Sequence, residues 1–181
     1  MRPWYALFPL VLTAIALMPA DGSGQENSLM PAFPSLIIRK MENAQLLATY
    51  TRETDSLRMR VTSKVSRPED GWGGVCLENR SPVDLTGYTH VSMIVEPSEP
   101  VVMDVKLEKT KFDEGALVLA DKGSFPRGRK AYTWKLKDAS EVSGSGTLGG
   151  TKRLCAFVLA DDFPRGSGVT VTISRIRFDR K

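Results

Sequence analysis

The chain has one histidine and two cysteines in 181 residues, and that scarcity removes whole classes of chemistry. A nucleophilic triad needs a histidine poised between nucleophile and carboxylate. The sole candidate, His90, opens a predicted strand directly after a turn, where a surface or capping histidine belongs. Two lone cysteines and one histidine, at no recognised spacing, are too few ligands for a zinc site. Charge of one sign is also lacking. Lys and Arg number 25 against 21 Asp and Glu, a formal +4, and no basic run exceeds two residues. That excludes nucleic acid as an expected partner. The glycine-rich segment 144–150 (GSGTLGG) has no helix after it and so cannot cradle phosphate in the usual way. The helical period is nearly absent, and the best helix candidate is one weak turn over Glu42–Ala48.

One apolar run stands out, Trp4 to Met18, preceded by Arg2 and followed by Pro19-Ala20 and the polar stretch from Asp21 to Asn27. That is the layout of an export signal over residues 1–20, with cleavage expected after Ala20. The run is short for a bilayer span and Pro9 interrupts it, so no stable membrane span is expected after cleavage. Residues 21–35 read as a polar, Pro-containing linker and residues 36–181 as one domain with a core of its own. The expected location is secreted or periplasmic. In such a compartment Cys76 and Cys155 can form a disulfide; the other reading is two buried thiols acting as small apolar residues. Asn79-Arg80-Ser81 fits a glycosylation sequon but Pro82 follows it.

Across the remainder a period of two dominates. Leu57, Met59 and Val61 alternate with Arg58, Arg60 and Thr62. Val101, Met103, Val105 and Leu107 alternate with Val102, Asp104, Lys106 and Glu108. Tyr132, Trp134 and Leu136 alternate with Thr133, Lys135 and Lys137. Such strands bury one face and leave the other wet, so Asp104, Lys106 and Glu108 read as a solvated face. About nine or ten strands are expected, at 37–43, 47–53, 57–65, 73–79, 90–97, 101–110, 115–120, 129–138, 152–160 and 168–179, with turn residues between them. The fold class is all-β, an antiparallel β-sandwich. Strand 152–160, apolar on both faces beyond Arg153, belongs at the centre of a sheet. In the last strand Val169, Val171 and Ile173 share one face while Ile176 and Phe178 have the opposite parity, which predicts a β-bulge near Ser174-Arg175.

Two segments echo each other. Val118-Leu119-Ala120-Asp121 leads to Phe125-Pro126-Arg127-Gly128, and Val158-Leu159-Ala160-Asp161 leads, after Asp162, to Phe163-Pro164-Arg165-Gly166. Each reads as a hairpin with an Asp at the exit and a Pro-Arg-Gly turn. With both tips at one end of the sandwich, Asp121, Arg127, Asp161 and Arg165 would form a polar rim beside Phe125 and Phe163.

The chain also resembles a family. Ile37–Asn43 (IIRKMEN), Gly71-Trp72-Gly73-Gly74-Val75, the stretch Val83-Asp84-Leu85-Thr86-Gly87-Tyr88-Thr89-His90-Val91, Val101–Leu107, Tyr132–Leu136 and Val169–Phe178 resemble, in order, segments of galactose-binding-like jelly-roll domains. These include bacterial carbohydrate-binding modules and also assembly-factor domains. The resemblance spans roughly residues 36–179 and implies a jelly-roll sandwich that binds a polysaccharide or glycan. The other implied partner is an envelope or extracellular protein. No cofactor is implied beyond a structural calcium ion, which in such domains sits near the chain ends. Ser174 occupies a position where relatives often carry Asp, leaving Glu42 and Asp179 as oxygen ligands for an ion that usually takes six to eight.

Sugar recognition needs a flat apolar face and polar groups at its rim. Trp72, flanked by glycines, is the expected platform; its other reading is a lid over the end of the sandwich. Tyr88 and Trp134 read as structural. A glycosidase would need two carboxylates a few ångströms apart, for which Asp121, Asp161 and Asp162 are the loop-mouth candidates. The expected function is thus an exported, non-catalytic binding module, with a protein-interaction domain as the second reading and a glycoside-active enzyme as the third.

Overall fold

The computed structural model describes residues 36–43, 45–109, 115–142, 149–161, 163 and 168–180. The signal segment, the linker, Asp162 and Arg165 lie outside the described residues. Among the described residues there are eleven strands: β1 (Ile37–Glu42), β2 (Leu46–Arg52), β3 (Ser56–Ser63), β4 (Trp72–Val83), β5 (Tyr88–Pro97), β6 (Val101–Glu108), β7 (Ala116–Phe125), β8 (Lys130–Lys135), β9 (Ser140–Val142), β10 (Thr151–Leu159) and β11 (Val169–Arg180). They form a six-stranded sheet in the order β1-β4-β10-β6-β7-β9 and a five-stranded sheet in the order β2-β3-β11-β5-β8. Neighbouring strands pair antiparallel throughout.

The alternating residues meet between the sheets. Val101, Met103, Val105 and Leu107 of β6 face Leu57, Met59 and Val61 of β3, Val91, Met93 and Val95 of β5 and Val169, Val171 and Ile173 of β11 within one core. Strand β10 lies between β4 and β6, the central place its two apolar faces predicted. The short β9, in a Ser- and Gly-rich stretch, was not visible as a pattern. The expected helical turn at Glu42–Ala48 is instead the end of β1, a turn and the start of β2. The Asn43 side-chain oxygen accepts the N–H groups of Gln45 at 3.0 Å and Leu46 at 3.2 Å. An Asx-type turn of this kind competes with a helix for the same backbone donors.

The bulge in β11 is where the parity break placed it. Pairing with β5 shifts register between Ser174 and Arg177, and Arg175 adopts φ of 51°. The extra residue returns Ile176 and Phe178 to the core. A side chain in the left-handed region costs on the order of 1 kcal/mol relative to glycine. Arg175→Gly is therefore expected to stabilise the protein by about 1 kcal/mol, read as a higher urea midpoint. A lower midpoint would mean that the arginine side chain itself holds the bulge.

The echoed segments are not hairpins. β7 and β10 lie in the six-stranded sheet, whereas the strands that follow them, β8 and β11, lie in the five-stranded one. The chain thus crosses between layers after β7, at Phe125-Pro126-Arg127-Gly128, and again between β10 and β11. Both crossovers leave from the same end, because β7 and β10 each run antiparallel to β6.

Candidate functional site

The outer face of the six-stranded sheet carries the chemistry, and strand register assembles it row by row. In the first row Trp72 of β4 is paired with Leu159 of β10. Next come Met41 of β1, Gly74 of β4, Phe157 of β10 and Asp104 of β6. The third row holds Arg39, Cys76, Cys155 and Lys106. The fourth sets Arg153 between Glu78 on β4 and Glu108 on β6. Met41, Trp72, Phe157, Leu159, Asp104, Lys106, Glu108 and Arg153 line a groove of about 500 Å³, a size suited to a small-molecule or chain ligand. From Leu159 to Arg153 the groove follows β10 for about 20 Å at 3.3 Å per residue.

One end is apolar. The Trp72 and Phe157 rings meet edge to face with centroids 5.2 Å apart. Met41 and Leu159 pack beside them, over the buried sulfurs of Cys76 and Cys155. These cysteines are registered partners on adjacent strands and are joined in a disulfide, with Cα atoms 4.0 Å apart. Trp72, the expected platform, is half-buried at the start of β4 and has apolar neighbours.

The other end is polar. Asp104 is fully engaged: its Oδ1 accepts the Lys122 N–H at 2.8 Å and its Oδ2 meets the Lys106 ammonium at 2.9 Å. Glu78 is buried and held by Arg39 and, at 3.1 Å, by the Lys152 ammonium. Burial pushes its carboxyl upward, but the hydrogen bonds and charges of those two cations outweigh it and leave it below the usual range. Glu108 is 6% exposed, and burial outweighs the charges of Arg153 and Lys106 nearby and pushes its carboxyl above the usual range. The expectation that Asp104, Lys106 and Glu108 form a solvated strand face is therefore corrected: neighbouring strands wall them into the groove.

The residues singled out in the sequence fare differently. Asp121 and Asp161 are exposed at the end where Trp72 lies, and Asp161 pairs with the Lys122 ammonium at 3.1 Å. Arg127 is exposed and approaches Glu99 at 4.0 Å. Phe125, expected at the ligand rim, is 2% exposed in the core, its ring 4.7 Å from that of Tyr132, and offers no face to a ligand. Phe163 packs against the same core. Tyr88 is buried against Phe178 with Arg180 over its ring, and Trp134 packs on the core.

The calcium pair is also corrected. Glu42 accepts the Ala48 N–H at 2.9 Å and lies 3.5 Å from the ammonium groups of Lys40 and Lys64, beside the end of β3. Asp179 is registered with His90, while Val169 at the other end of β11 is registered with Val61 of β3. The two carboxylates are thus separated by most of the length of β11, roughly 30 Å, and cannot share one ion. Glu108 lies within 4.8 Å of both cysteine sulfurs, but sulfurs consumed in a disulfide are not thiolate ligands.

Asp104 and Glu108 are four residues apart on one strand, about 13 Å, beyond the separations glycosidases use. His90 lies on the five-stranded sheet with its Nδ1 2.9 Å from Thr89 Oγ1, on the opposite side of the sandwich from the groove. Among the described residues no helix is long and apolar enough to cross a membrane.

The sequence reading missed Met41, Phe157, Leu159, Glu108 and Arg153. One signal for them was present: a strand apolar on both faces, as β10 is, needs a second apolar surface or a ligand over its outer side.

No protein-family model matches the chain, and no curated protein matches it. Solved structures do. A family 11 carbohydrate-binding module from Clostridium thermocellum, in complex with a β-1,3-1,4-mixed-linked tetrasaccharide, matches at 9% identity and a TM-score of 0.55 over 84% of this chain and 95% of that one. A family 11 module of a cellulosomal cellulase from the same organism matches at 9% identity and 0.54, over 87% and 97%. An exo-β-agarase matches at 11% identity and 0.51, over 86% of this chain but only 25% of its own. At such identities the likeness is one of fold: the chain has a jelly-roll β-sandwich similar to that of these solved modules.

Proposed function

We propose that this protein is an exported, non-catalytic module that binds a glycan chain in the groove of its six-stranded sheet. The observation that carries the reading is the joining, in one groove, of an aromatic pair at one end and buried charged groups at the other. Pyranose rings present C–H faces that pack on Trp72 and hydroxyls that need donors and acceptors. A flat apolar patch, which a protein partner would favour, is not what the described residues offer. Their large exposed hydrophobics are Ile37, Tyr50 and Val65, on different segments. Export is supported by the Trp4–Met18 segment and by a disulfide suited to an oxidising compartment. Affinity is expected to be modest, since stacking and hydrogen bonds are made against competing water.

The test is retardation of the protein by a panel of polysaccharides in native gels, with Trp72→Ala alongside. At least one glycan should retard the wild type, and the variant should bind it at least tenfold more weakly while melting normally. A folded protein retarded by none of them would refute the reading.

A further inference from the structure

Glu108 and Arg153 are registered partners on β6 and β10 at the polar end of the groove. Arg153 Nε is buried without a hydrogen-bond partner, and the Glu108 carboxylate, 6% exposed, is desolvated between the charges of Arg153 and Lys106. A buried donor without a partner and a desolvated carboxylate cost stability, and the neighbouring carboxylates show that the fold can satisfy such groups where it needs only structure. Glu78 has Arg39 and Lys152, and Asp104 has Lys106 and the Lys122 N–H. An acceptor and a donor left open side by side match a hydroxyl, which donates and accepts at once. They do not match an anion, which would satisfy Arg153 but confront Glu108.

Building on the glycan reading, we propose that Glu108 and Arg153 form a specificity pair. It takes adjacent hydroxyls of an uncharged sugar chain and excludes chains bearing carboxylate or sulfate groups at that subsite.

The charged groups around Glu108 are Arg153 on β10, Lys106 on its own strand and Glu78 one strand beyond Arg153. Cys76 and Cys155 do not titrate, and Ala116 faces it from β7. A hydroxyl donating to the carboxylate favours its ionised form, so binding lowers the Glu108 pKa and affinity rises with pH through that pKa. Stability runs the opposite way. The folded-state pKa is raised, so the stability present with Glu108 protonated is lost as pH rises through it. Glu108→Gln is accordingly expected to raise the melting temperature at neutral pH while weakening binding, a combination that a structural carboxylate would not produce.

The experiment compares wild type, Glu108→Gln, Arg153→Lys and Trp72→Ala by native-gel retardation across mildly acidic to neutral pH. The probes are mixed-linkage β-glucan, galactomannan and agarose against alginate, polygalacturonate and carrageenan, with melting curves for every variant. The wild type should favour an uncharged chain at least tenfold over every acidic one and bind it more tightly as pH rises. Glu108→Gln should lose several-fold in affinity, flatten the pH profile and relax the exclusion of acidic chains. Arg153→Lys should lose up to about tenfold. Equal or tighter binding of an acidic chain, or folded variants at both positions that bind as wild type does, would overturn the pair alone, provided Trp72→Ala still weakens binding at least tenfold. Retention of no polysaccharide at all would overturn the glycan reading and the pair with it.

Discussion

Replacing Cys76 and Cys155 together by alanine is expected to destabilise the protein by roughly 2–5 kcal/mol. The two residues are directly opposed on β4 and β10, inner strands of the six-stranded sheet, and are 79 residues apart in the chain. Closing a loop of that length removes much of the freedom of the unfolded chain, which is where most of the stabilisation arises in the chain-entropy account. Both cysteines are fully buried, so alanine is the informative replacement; serine would add a buried hydroxyl with its own penalty. The measurement is urea unfolding of wild type and double variant, each with and without reductant. Reductant should lower the wild-type midpoint toward that of the variant and leave the variant unchanged. Identical midpoints for oxidised wild type and variant would show that the bridge contributes nothing to stability. The disulfide also floors the apolar end of the groove beneath Phe157 and Trp72, so its loss should weaken glycan retention as well.

Gly74→Ala should be of similar severity, roughly 3 kcal/mol or more, at the upper end of overpacking costs. A Cβ at this position would collide with the Ala156 carbonyl oxygen and stand 2.8 Å from the Phe157 Cα. Both are backbone atoms of the paired strand, so no side-chain rotation relieves the contact, and β4 must move away from β10. The neighbouring Gly73 supplies the control. A Cβ there meets only side chains, Leu46 Cβ and Val61 Cγ1, each at 3.2 Å, which can yield by a few tenths of an ångström. Denaturant unfolding should place Gly74→Ala well below Gly73→Ala in stability. The reverse order would contradict the close approach of β4 and β10. Since Phe157 is the residue registered with Gly74 and Trp72 lies one row away, surviving Gly74→Ala protein should also bind glycan poorly.

The strands were legible because alternation is a local property. Val101 to Leu107 declares one wet and one dry face whatever surrounds it, and β10 declares its central place by being apolar on both. The bulge in β11 was legible for the same reason, since a parity break between Ile173 and Ile176 has one economical geometric cure. β9 was not, because three residues in a polar stretch carry too little pattern. The turn at Asn43 was misread because capping by its side chain outweighs the weak helical preference of the residues that follow. The two Phe-Pro-Arg-Gly segments were read as hairpins because turn chemistry reports that the chain reverses, not which sheet receives it.

The site lay further from the sequence. Trp72 was identifiable as a candidate by its glycine neighbours, but Phe125, which shares a motif with Phe163, proved to be core. Asp104, Lys106 and Glu108 show their parity in sequence, yet whether that face meets water or a wall depends on the strands beside β6, which are distant in the chain. By itself the sequence determined the class of fold, the strand positions and the inward faces, since these follow from side-chain period and turn chemistry within a few residues. Only the tertiary structure decided that Cys76 meets Cys155, that Glu42 and Asp179 stand far apart, and that Trp72, Phe157, Glu108 and Arg153 share one groove. Those facts depend on sheet order and register, which arise from long-range pairing between segments as distant in the chain as β3 and β11.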